Sequence, residues 1–123
     1  MSGGFLPGPY QLAQFHFHWG SETEGGSEHL VDGHRHFAEI HLVHWKEEYG
    51  SLGDSVNKGD GLAVLGFFVD SSDNHEENEL DELIQTQIGM KVPNPKDTTE
   101  LEGFAMGSIL PNTFDNYYRF VLF

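Results

Sequence analysis

Cysteine is missing from all 123 residues, which excludes disulfides and thiolate metal sites and leaves the compartment open. Positive charge is scarce as well: 6 Lys and Arg stand against 20 Asp and Glu, a formal net charge of −14. A surface of that sign repels nucleic acid and anionic membranes, so neither is expected as a partner. No apolar run has the length that crosses a bilayer, and no basic, apolar, small-residue leader opens the chain. A soluble protein is expected, cytoplasmic or secreted. Internal repeats and Gly/Ser-rich linkers are also absent, and this length suits one modest core rather than two. Apolar residues at 37% and aromatics at 13% place the chain among globular proteins rather than disordered ones.

Against that background stands "QFHFHWG", Gln14 to Gly20. In an extended chain residues i and i+2 share a face. His16 and His18 then lie on one side, with Phe15, Phe17 and Trp19 on the other. The strand runs from Leu12 to Trp19, with Leu12 an exception to the alternation. A second strand is expected over Phe37 to Trp45, "FAEIHLVHW". It carries Glu39, His41 and Val43 on one face and Ala38, Ile40, Leu42 and His44 on the other. A third, "LAVLGFFV" from Leu62 to Val69, is apolar on both faces, as suits a buried central strand. Between the first two lies "GSETEGGSEHLVDGHR", rich in turn residues. The pattern predicts an antiparallel pair with a further short strand near Ser27 to Val31.

Beyond Val69 the period changes. Leu80, Leu83, Ile84 and Ile88 recur at helical spacing, behind Asn74 and acids suited to a helix N-terminus, and Gly89 ends the run. The acids of Asp70 to Glu82 lack the spacing of a calcium loop and read as a solvated face. The fold class expected is mainly β with a minor helix.

If the first two strands pair, His16, His18 and His41 converge. Three neutral imidazoles with an open fourth position define a catalytic rather than a structural zinc site. Gln14 and Glu39 each precede a histidine by two residues on its own face, where they can fix its distal N–H. A His-x-His pair by itself is a weak signal, more often served by hydrogen-bonded structural histidines. The third strand histidine, with a carboxylate on its face, favours the metal.

"YQLAQFHFHWG", "GSEH", "AEIHLVHW" and "DGLAVLG" occur in the order and spacing of alpha-class carbonic anhydrase motifs, and the chain resembles that family from about Ser2 to Phe120. The resemblance implies a twisted, mostly antiparallel sheet with zinc at the foot of a cleft, and hydration of carbon dioxide to bicarbonate by zinc-bound hydroxide. It implies zinc ligation by His16, His18 and His41, with Gln14 and Glu39 supporting them. Glu28 matches the carboxylate that orients a threonine hydroxyl, and Val43 and Val64 match the apolar carbon dioxide pocket. His29, beside Glu28, reads as a buried hydrogen-bonding residue that supports the site, and in "LPNTFDNYYRF" Tyr117 matches an aromatic position of the family. His44 reads as a core histidine. His34, His36 and His75 read as solvated, with a proton relay through His34 or His36 as the alternative.

The resemblance covers roughly the middle half of the family domain, so residues 1–123 are expected to form a single, incomplete domain. The family's proton-shuttle histidine and the threonine facing Glu28 fall outside it. Two function classes follow: a zinc-dependent carbonate dehydratase, or a catalytically impaired zinc-binding or interaction module of the same fold. The open edges of a partial sheet offer a route to self-association.

Overall fold

The computed structural model describes residues 1–20, 24–70, 79–84 and 107. Contacts divide the chain into residues 1–71 with 118–123, and residues 72–117. The first unit holds β1 (Tyr10–Trp19), β2 (Ala38–Lys46) and β3 (Leu62–Val69) in one antiparallel sheet of order β1-β2-β3. Among the described residues the second unit contributes one short helix, Glu79–Glu82.

The register decides what the sheet can do. His16 pairs with His41, Gln14 with Val43 and His18 with Glu39, and directly opposed residues share a face. Phe15, Phe17 and Trp19 therefore lie with Leu42, Ile40 and Ala38 on the other face. The register shifts between Leu12 and Gln14, leaving Ala13 as an extra residue. That bulge turns Leu12, opposite His44, onto the face that Phe15 also uses. The break in alternation at Leu12 is the sequence trace of the bulge.

β2 occupies the centre of the described sheet and is buried along nearly its whole length, with Ile40 and Leu42 in the core. The apolar "LAVLGFFV" predicts a central strand, yet β3 lies at the end of the three described strands and only Ala63 in it is fully buried. Apolar character on both faces reports what packs above and below a strand. It does not report what pairs beside it.

No strand forms over Ser27 to Val31, a second departure from expectation. The amides of Gly26 and Ser27 both bond to the His36 carbonyl, so the segment crosses its partner rather than running along it. Val31 and His34 form an isolated bridge closed by Asp32 and Gly33, with φ of 51° and 80°. Both central residues being left-handed marks a tight Asp-Gly turn.

The β2–β3 connection is pinned by polar contacts. A 3-10 turn over Glu47–Tyr49 leads through Gly50 to a helical turn at Leu52–Ser55, capped by Ser51. Lys46, almost fully buried, donates to Asp60 at 2.6 Å and pairs with Glu48 at 2.8 Å. Tyr49 donates to the Asp60 carboxylate at 2.6 Å, and Tyr10 to the Asp60 carbonyl at 2.5 Å. In the second unit Leu83 is buried and Leu80 half-buried, but Ile84 is exposed and falls off the buried side of the expected helix. Asn74, His75, Ile88, Gly89 and Tyr117 lie outside the described residues.

Candidate metal centre

Three imidazoles meet on the polar face of β1 and β2. Ring centroids lie 5.0 Å apart for His16–His18, 5.2 Å for His16–His41 and 4.6 Å for His18–His41. One ligand atom from each falls within 4.8 Å of the others. The alternation of β1 supplies two rings, and the β1–β2 register supplies the third.

Hydrogen bonds select the nitrogen each ring offers. His16 Nδ1 lies 3.0 Å from Gln14 Oε1, an acceptor, so Nδ1 carries the proton and Nε2 keeps its lone pair. His41 Nε2 lies 2.7 Å from Glu39 Oε1, so there the proton sits on Nε2 and Nδ1 is the open donor atom. His18 Nε2 is buried and has no hydrogen-bond partner. A buried ring nitrogen without a partner is costly unless something else binds it. The donor set is therefore His16 Nε2, His18 Nε2 and His41 Nδ1, three nitrogens of the kind zinc takes. The chemistry of the residues present fits that metal.

The local electrostatics keep these nitrogens available to a cation. Burial, reinforced by the neighbouring His41 and His18, holds the His16 pKa below its ordinary value, so the ring stays neutral. Burial pushes Glu39 up, but the His29 amide and the side chains of His41 and His29 outweigh it, and the carboxyl ends below its usual range. Glu39 is thus ionised at neutral pH although almost fully buried. It accepts from the His29 amide at 2.8 Å and from His29 Nδ1 at 2.7 Å, besides His41.

Glu28 enters from the loop after β1. Its Oε2 lies 3.7 Å from His41 Nδ1 and 3.8 Å from His18 Nε2, with the side chain half exposed. Val43 and Val64 oppose each other across β2 and β3, half-buried and one step along the same face from His41. His44 lies on the opposite face as a core histidine, its Nδ1 donating to the Leu42 carbonyl at 3.0 Å, and burial holds its pKa down. His34 is exposed. His36 departs from the solvated expectation: its Nδ1 lies 2.7 Å from Asp70, and its ring stacks on Phe68 at 4.2 Å.

One contributor has only a faint sequence signal. Gly66 pairs with His41, and a Cβ there would sit 3.1 Å from Glu39 Oε1 and 3.5 Å from His41 Cδ2. A lone glycine inside an apolar strand marks such a close approach. Ser27, fully buried, gives no signal because its bonds depend on how its loop folds back on His36, and Asp70 gives none because its partners His36 and Phe37 lie far earlier in the chain.

A polar sheet face carrying three convergent imidazoles, two from β1 and one from β2, could hold a metal ion in a mononuclear histidine site. The family model for eukaryotic-type carbonic anhydrase matches residues 1–121, and the chain belongs to that family. Human carbonic anhydrase 3 is 49% identical over 80 residues, covering 65% of this chain and 30% of its own length. Human carbonic anhydrase 7 is 50% identical over 76 residues, covering 61% of this chain and 29% of its own. The match to rat (Rattus norvegicus) carbonic anhydrase 3 is 52% over 69 residues, 56% of this chain and 26% of the relative. The matched segment thus spans under a third of these relatives. Among the described residues no helix is long and apolar enough to cross a membrane.

Proposed function

We propose that the chain holds one zinc ion through His16 Nε2, His18 Nε2 and His41 Nδ1, and that the site serves the reversible hydration of carbon dioxide to bicarbonate. The observation that carries this reading is the buried, unbonded His18 Nε2 beside two rings whose other nitrogens are already committed. Bound zinc supplies Lewis acidity that makes a water molecule nucleophilic near neutral pH. Gln14 and Glu39 hold the ligand tautomers. Val43 and Val64 offer an apolar wall, and an uncharged linear substrate needs no ion pair to rest there. Glu28 stands at the open side as an acceptor that orients an O–H donor. Family membership and the names of the relatives support the same activity.

A second reading of the same cluster is a zinc-binding or interaction module with impaired turnover. Zinc stoichiometry paired with a carbon dioxide hydration assay on this chain separates the two. One equivalent of zinc with hydration that chelation abolishes supports the enzyme. One equivalent without hydration supports the zinc-binding module, and no zinc uptake removes the enzyme and leaves only an interaction module.

A further inference from the structure

The loop that carries Glu28 and His29 has no strand ladder to hold it, yet His29 must place both its amide and its ring on one buried carboxylate. Its tether is Ser27. The Ser27 hydroxyl donates to the His29 carbonyl at 2.7 Å and accepts from the His36 amide at 2.9 Å. The amides of Gly26 and Ser27 return to the His36 carbonyl at 2.9 and 3.2 Å. Three of these four bonds end on His36, and the Gly26 amide also reaches the Phe37 carbonyl at 3.1 Å, so the loop is held chiefly at His36 and its neighbour.

His36 is fixed in turn by Asp70, the first residue after β3. Asp70 Oδ2 lies 2.7 Å from His36 Nδ1, and Oδ1 accepts from the Phe37 amide at 3.3 Å. The His36 ring stacks on Phe68, centroids 4.2 Å apart and planes 23° from parallel. Phe68 pairs with Glu39.

We propose that the His36–Asp70 pair is the outer latch of the 25–36 loop, positioning His29 against Glu39 and Glu28 beside the metal-facing nitrogens without touching a metal ligand. The inference deepens the zinc-centre reading and rests on it. Its sign follows from charge. The Glu28 carboxylate stands 3.7 Å and 3.8 Å from two donor nitrogens, where negative charge favours a bound cation. Releasing the loop withdraws that charge and strips Glu39 of two of its hydrogen bonds.

The test uses the full chain with Asp70→Asn, His36→Phe (which keeps an aromatic on Phe68), their combination, and Asp70→Glu as the conservative rescue. In metal-free protein, amide exchange at His29 should rise roughly tenfold in each single variant while Ile40 and Leu42 stay protected. With Co2+ alone as the probe, affinity should fall about tenfold in each single variant, at the low end for groups that support ligands. The double variant should lose no more than either single, and Asp70→Glu should recover most of the loss. Unchanged exchange at His29 overturns the latch, and so does faster exchange with undiminished Co2+ affinity. A native chain that takes up no Co2+ overturns the zinc-centre reading instead, and exchange at His29 then decides whether the latch holds the loop.

Discussion

Glu39 does the most for the site per atom. An imidazole can present either nitrogen, and the choice is made by what binds the other. Glu39 Oε1 accepts a hydrogen bond from the His41 Nε2–H, which leaves Nδ1 facing the cluster. Support of this kind typically contributes about 10–100-fold to metal affinity. Glu39→Gln should weaken zinc binding by that range in a competition titration and leave His16, His18 and His41 as the ligands. Affinity equal to the native chain would show that the charge of Glu39 is not needed to orient His41. The ligands themselves should behave differently. His16→Ala combined with His18→Ala should abolish tight zinc binding, while His34→Ala, at an exposed turn, should leave it intact. Equal loss from His34→Ala would place the metal elsewhere.

At the scale of the strand, spacing says a great deal and pairing partners very little. The i, i+2 rule places Gln14, His16 and His18 together, and Glu39, His41 and Val43 together, and the register then joins the two sets. All three β-strands and the core role of His44 are legible in this way. The missing short strand near Ser27 is not, because its fate depends on the carbonyls of His36 and Phe37, which its own residues do not announce. Gly66 is where this scale meets the site. A methyl at 3.1 Å from Glu39 Oε1 presses on the bond that orients His41. Gly66→Ala should reduce zinc affinity about tenfold, as loss of that orientation does, while costing about 1 kcal/mol of stability, the low end for overpacking. Zinc titration and urea melts of the same variant check both. A stability loss with undiminished affinity would mean that β3 yields and the Glu39–His41 pair does not move.

Over the whole molecule, charge and pH set the stability. The net charge of −14 is self-repelling, so acidification first relieves repulsion. Particular groups oppose that trend. Burial lowers the His44 pKa, so the unfolded chain binds this proton more readily, and its contribution fades as pH falls below about 6.5. Asp60 is held below the ordinary carboxylate range first by Lys46 and then by Tyr49, and Asp70 by His36. A depressed carboxyl contributes fully above its unfolded value, about 3.9, and loses that contribution as pH falls through its folded value. Lys46 is raised by Asp60 and Glu48, so its share persists through neutral pH and is lost only in strong alkali. Asp60→Asn isolates one of these groups, because subtracting the variant from the native chain cancels nearly all of the general repulsion. In metal-free thermal melts the native chain should exceed Asp60→Asn at pH 7, where Lys46 and Tyr49 both bond an ionised Asp60. The difference in Tm should hold down to about pH 5 and shrink steadily below pH 4 as the native carboxyl takes up its proton. A difference as large at pH 3 as at pH 7 would mean that Asp60 acts through shape and hydrogen-bond geometry, and that its charge against Lys46 contributes nothing to the fold.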